Sequence, residues 1–162
     1  MKYPMTPRGY NAMREELRTL KGMRPELANA IEVARAHGDL SENADYDAAK
    51  EKSGMVEAKI RDLELKLTTA EIIDPSKLKN PDRVVFGVTT KVEDLDSGDT
   101  RVVSIVGADE SNIEKGRISL ESPLGRSLIG KEIGDTATVK LPAGVREYEV
   151  LEIFVDYDEN AN

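Results

Sequence analysis

The stretch His37-Gly38-Asp39-Leu40-Ser41-Glu42-Asn43 decides the fold, because it interrupts two patterns that otherwise mirror each other. Upstream, Met13, Leu17, Leu20, Arg24, Leu27, Ile31 and Ala34 recur at alternating spacings of four and three. Downstream, Tyr46, Ala49, Ser53, Val56, Ile60, Leu63 and Leu67 recur at three and four. A period of 3.5 is that of a helix with one buried seam. Thr6 before Pro7 is a helix start, a hydroxyl cap followed by proline at the first helical position. Pro25 falls inside the first pattern and predicts a kink or break there. Glu57–Arg61 and Asp62–Lys66 are acid-to-base pairs four apart, expected on the outer face of the second helix. Gly38 suits a left-handed C-cap, and so short a connection forces an antiparallel hairpin. Each arm is about 20–25 residues, or roughly 30–38 Å at about 1.5 Å per residue. A hairpin that long is expected to protrude.

Beyond the second seam the periodicity changes. The segment 75–82, PSKLKNPD, reads as a linker with proline near both ends. After it, Val84–Leu95 and Thr100–Val106 read as strands around Asp96-Ser97-Gly98-Asp99, a hairpin turn. Arg117–Glu121 is a further strand and Leu124–Ile129 a short helix. Thr136–Leu141 and Glu147–Val155 flank Pro142-Ala143-Gly144. The tail after Tyr157 is expected to fray. The expected organisation is α+β: a coiled-coil hairpin over residues 1–74, a linker over 75–82, and a small α+β domain over 83–162.

Composition narrows the function. Lys and Arg number 23 against 31 Asp and Glu, a net charge of −8, which disfavours autonomous binding of nucleic acid. Cysteine is absent and His37 is the one histidine, which excludes thiol chemistry and a His- or Cys-built zinc centre. No apolar run approaches the roughly 18 residues of a membrane span, and MKYPMTPRGY has no signal-peptide core. A cytoplasmic chain with no membrane partner is expected.

Chemistry concentrates at the tip, where Asp39, Glu42, Asp45 and Asp47 lie close together. Asp39 and Glu42 are three apart, so at a helix start both carboxylates share one side. Two hard oxygen donors suit Mg²⁺ or Mn²⁺ but do not fill an octahedral shell, so a second molecule would complete the site. The same pair also reads as a capping box, Asp39 at N-cap and Glu42 at N3. The readings are compatible. His37 reads as a cation at a helix C-terminus. Lys50 and Lys52, with Arg14, Arg18 and Lys21, form at most basic patches on solvated faces. Aromatics are 4% of the chain, too few for a deep aromatic pocket.

Residues 37–46, HGDLSENADY, closely resemble the tip loop of the Gre family of bacterial transcript-cleavage factors. Pro4-Met5-Thr6-Pro7-Arg8-Gly9, Arg83-Val84-Val85-Phe86-Gly87 and residues 122–131, SPLGRSLIGK, are similar to that family's opening, second-domain entry and C-terminal signature. The resemblance covers nearly the whole chain. It implies a coiled-coil hairpin and an FKBP-like domain without isomerase activity. It also implies a monomeric protein that docks on RNA polymerase at its secondary channel and reaches down it. Asp39 and Glu42 fall on the family's tip acids, which help hold the second catalytic Mg²⁺ jointly with the polymerase and position the attacking water. The 3′ end of backtracked nascent RNA is then cleaved by the polymerase, and the factor is not an enzyme alone. The same resemblance makes Gly38, Leu40, Ser41, Asn43 and Tyr46 tip support, Ser122, Pro123 and Leu124 docking candidates, and Lys50 and Lys52 RNA-proximal. So modest a basic patch implies short cleavage products. Two competing readings are a channel-binding inhibitor of the same shape and a coiled-coil or FKBP-type chaperone.

Overall fold

The computed structural model describes residues 2–37 and 43–161. The chain forms two compact units, residues 11–69 and residues 1–10 with 70–162.

The first unit is helical. Helix α1 spans Pro7–Gly22, α2 spans Arg24–Arg35 and α3 spans Ala44–Thr68. Contacts between the arms run in opposite chain directions, from Ala34–Asn43 through Arg24–Glu57 to Lys21–Glu64, so the pair is antiparallel. Leu27, Val56 and Ile60 form its core, with Leu17, Leu20 and Met23 packed around them. Every position of the downstream pattern is buried or half-buried. The upstream pattern breaks where Pro25 predicted. Met23 is a turn residue and Pro25 lies in the first turn of α2, where a missing N–H needs no acceptor.

The break corrects two expectations. Met23, not Arg24, takes the half-buried place in the seam, which resumes at the expected Leu27, Ile31 and Ala34. Arg24 faces out and grips Glu57 with both ends of its fork, Nε–Oε1 at 2.8 Å and Nη2–Oε2 at 2.9 Å. Glu57 therefore pairs across the arms rather than with Arg61. The Asp62–Lys66 pair forms as expected at 3.1 Å.

In the second unit, β1 (Tyr3–Met5) runs parallel to β2 (Ala70–Ile72). Residues 1–10 and 70–74, counted with the hairpin in the sequence, thus group with the sheet. Next come β3 (Thr89–Asp94), β4 (Thr100–Val106), β5 (Arg117–Ser119), α4 (Pro123–Leu128), β6 (Thr136–Leu141) and β7 (Gly144–Phe154). They build a five-stranded sheet in the order β5-β4-β3-β7-β6, antiparallel except for β4 with β5. Alternate residues Val92, Val103, Ile105, Val139, Tyr148 and Val150 face one core, joined there by Leu128 of α4. The α+β class and the hairpin-plus-sheet architecture are as the sequence predicts.

Several bounds move. The strand expected from Val84 begins only at Thr89. Val84 exchanges backbone bonds with Lys131 and Gly130 instead (2.8 Å each), and Gly87 at φ +93° turns the chain before the ladder. The strand expected to Glu121 ends at Ser119, because the Ser122 N–H and hydroxyl both donate to the Ser119 carbonyl. The last strand starts at Gly144 rather than Glu147, and α4 starts one residue early, with Pro123 at its first position. The tail does not simply fray: Asp158–Ala161 closes a turn, with Ala161 N–H donating to Asp158 O at 3.2 Å. Asp74 caps a 3₁₀ turn at Pro75–Lys77, and Leu78 packs against the sheet core.

Candidate functional site

The tip residues Gly38, Asp39, Leu40, Ser41 and Glu42 lie outside the described residues. Both flanks are described. Helix α2 closes at Ala36, whose N–H reaches Glu32 O at 3.1 Å, and His37 follows, exposed. Helix α3 opens with Asn43 as its N-cap, in extended conformation, its Oδ1 accepting from Tyr46 N–H at 3.0 Å. The same side chain donates through Nδ2 to Ala34 O at 2.6 Å. One amide thus caps α3 and ties it to the end of α2. The N-cap of α3 is therefore Asn43 and not Asp39, a correction to the capping-box reading. Asn43 wins because an amide offers an acceptor to its own helix and a donor to the other arm, which a carboxylate does not.

Tyr46 sits one turn into α3 between two cations. Arg35 is the first cause of a pKa below the ordinary tyrosine value, with Lys50 a lesser one. Lys50 Nζ lies 5.4 Å from the ring centroid. Arg35 in turn is raised, mainly by Tyr46 and then by Glu32. So Asn43, Tyr46, Arg35 and Lys50 form one cross-arm cluster below the tip. Arg35 was not singled out in the sequence, and its place in the last turn of the first arm was the available signal. Lys52 is exposed two residues from Lys50, on a different face of α3, so the structure does not bring the two together. Farther along the arms Arg18 pairs with Glu15 at 3.8 Å and Lys21 with Glu64 at 3.7 Å, exposed pairs of little weight.

The docking candidates are mostly occupied by folding. Ser122 caps α4 through Gly125 N–H at 3.1 Å and donates to Ser119 O at 2.7 Å. Leu124 packs on the core, and a Cβ at Gly125 would run into the Ser119 carbonyl. Pro123 is exposed, so it is the surface member of that trio.

Among the described residues no group of three or more His, Cys, Asp or Glu side chains is arranged to hold a metal ion. Among them, too, no helix is long and apolar enough to cross a membrane.

Two family descriptions match the chain: "Transcription elongation factor, N-terminal" over residues 3–72 and "Transcription elongation factor, GreA/GreB, C-term" over residues 79–154. The transcription elongation factor GreA of Methylococcus capsulatus is 52% identical over 153 residues, 94% of this chain and 97% of its own. That of Ralstonia nicotianae is 53% identical over 148 residues, 91% of this chain and 94% of its own. The crystal structure of GreA factor homolog 1 from Thermus thermophilus is 27% identical, covers 94% of this chain and 99% of its own, and superposes with a TM-score of 0.44.

Proposed function

This chain belongs to the GreA/GreB family of transcription elongation factors, and we propose that it rescues backtracked RNA polymerase by stimulating the polymerase's own cleavage of nascent RNA. In this reading the sheet domain docks on the polymerase, with Pro123 the exposed docking candidate. The hairpin enters the secondary channel, and the loop between Ala36 and Asn43 meets the RNA 3′ end.

The observation that supports a chemical role for Asp39 and Glu42 is the cap at Asn43. With Asn43 capping α3, the start of that helix does not depend on those two carboxylates. Their donor chemistry fits Mg²⁺: hard, anionic oxygens in a set too small for a stand-alone site. Asp39 and Glu42 would hold the ion jointly with the polymerase. When bound, the ion supplies charge stabilisation and a more acidic water. The chain's own part is to bring two negative charges to that place and to orient a water by hydrogen bonding. Lys50 and Arg35, held around Tyr46, carry positive charge close to the tip and favour the approach of the RNA backbone.

The test is Asp39→Asn with Glu42→Gln in a stalled, backtracked complex containing Mg²⁺. Circular dichroism and polymerase binding should match the wild type, since Asn43 still caps α3. Cleavage stimulation should vanish. Equal stimulation by both proteins would remove the carboxylates from the chemistry. A wild type that binds but never stimulates would favour the channel-blocking inhibitor.

A further inference from the structure

Beyond Val150, strand β7 runs on with one neighbour instead of two. Its pairing with β6 ends at Thr136–Glu149, and the last bonds on that side join Val150 to Gly134 and Asp135 at 2.8 and 2.9 Å. On the other side β3 continues, with Thr90 opposite Ile153 and Thr89 opposite Phe154. Alongside this singly paired length lies a cavity of about 420 Å³, with residues 153–155 as one wall and residues 78–81 as the other. Successive strand residues point to opposite faces of a sheet, so a cavity touching three in a row runs along the edge of the strand. Since β3 occupies one edge, the cavity lies on the edge that β6 has left.

Both walls are held by the fold, since Leu78 and Ile153 pack against the sheet core. Asn80 has φ +45°, the one non-glycine residue in the left-handed region among the described residues, and it precedes Pro81. A residue before proline ordinarily takes an extended conformation. The turn at Asn80 keeps its wall from lying along β7 as a strand, and among the described residues 79–83 make no backbone–backbone hydrogen bond. The slot is thus bounded by an open strand edge, whose free N–H and C=O groups are a template for another strand. Charge narrows the occupant. Lys79 is the one charged residue lining the slot, exposed and in no ion pair among the described residues. Asp82 and Asp156, both exposed, follow directly after the two walls in the chain.

We propose that this slot takes up an extended segment of a partner protein, which adds to β7 as a strand and sets one carboxylate side chain against Lys79. Main-chain bonds to an open edge supply affinity, and pockets for alternate side chains supply specificity. Apolar residues on either side of the carboxylate rest on Leu78, Pro81 and Val155. A segment with several acids is repelled by Asp82, Asp156 and the net charge of −8. None of the lining residues belongs to the hairpin tip or to the docking trio at 122–124, so the slot stands independently of the transcriptional reading.

The test is fluorescence-anisotropy titration of the full chain with a labelled peptide of sequence Ser-Val-Thr-Val-Glu-Val-Thr-Ser, blocked at both ends. Replacing its Glu by Gln should weaken binding about three- to fivefold, as expected for one exposed ion pair. N-methylation of three successive central amides, which removes donors from both edges of the peptide, should weaken it about tenfold or more. Lys79→Glu changes an exposed side chain, so its circular dichroism should match the wild type while it prefers a Lys-containing peptide to the Glu-containing one. Hydrogen exchange with the parent peptide bound should slow at alternate amides within residues 151–155, a pattern that a merely electrostatic encounter does not produce. No binding of the parent peptide up to about 1 mM, equal binding of the Glu and Gln peptides, full binding by the N-methylated one, or slowed exchange only elsewhere would each overturn the proposal.

Discussion

Asn43 performs two jobs with one side chain, and substitution can separate them. Asn43→Ala deletes both the cap on Tyr46 N–H and the bond to Ala34 O. Loss of an N-cap costs about 1 kcal/mol, and loss of a net intramolecular hydrogen bond about 1 kcal/mol more. The sum is about 2 kcal/mol if the ends of the arms unfold with the rest. Serine is as good an N-cap as asparagine but too short to reach Ala34 O, so Asn43→Ser should lose only about 1 kcal/mol. Urea unfolding monitored by circular dichroism gives the global values. Amide hydrogen exchange at Tyr46 gives the local one, since its N–H is the capped donor. Protection there should survive in Asn43→Ser and fall in Asn43→Ala. Equal protection in the two variants, or urea midpoints matching the wild type in both, would refute the double role.

Two more expectations follow from the sheet domain. Gly125→Ala should cost about 1–3 kcal/mol or more, since the added methyl meets the Ser119 carbonyl rather than a side chain that can swing away; an unchanged urea midpoint would sink that account. Asp94 is held below the usual carboxylate pKa first by the Asp96 N–H, then by Arg146 and the Ser97 N–H. Its contribution is therefore full above the unfolded value of about 4 and fades as pH falls further. Asp94→Asn should melt lower than the wild type at neutral pH, with the gap closing below about pH 4; a gap that persists in acid argues against the charge as the source.

The parts of the fold legible in the sequence were those with many repeats of one signal. Seven seam positions in α3 all turned inward, because a wrong phase would have exposed Val56, Ile60 and Leu63 together. The upstream seam missed at one position, Met23 in place of Arg24, because the turn between α1 and α2 swings the preceding residue inward; Leu27, Ile31 and Ala34 keep the expected phase. The strand β1 is three residues long and its only signal is a partner near residue 70, which local pattern cannot reveal. Val84 to Val88 reads as a strand because valine favours strands, and it is Gly87 at positive φ that turns the chain before the ladder begins. At the site, the acid spacing of Asp39 and Glu42 is the stronger local signature of a cap, yet the cap is Asn43. The deciding factor was the Ala34 carbonyl on the opposite arm, a partner that exists only once the hairpin has closed.

The anchoring of β1 and the start of α1 sets an order of assembly. Thr6 is fastened by Glu110, 104 residues later, and Arg8 by Tyr157, 149 residues later. During synthesis the helical arms meet partners that emerge soon after them, and they can zip from the loop outward while translation continues. Residues 3–5 wait for β2 at 70–72, Thr6 for Glu110, and Arg8 for Tyr157 near the end of the chain. Contacts so distant in sequence form slowly, since loop closure must precede any gain. The segment translated earliest is thus fastened in steps, and its last anchor, at Arg8, cannot form before Tyr157 has been made.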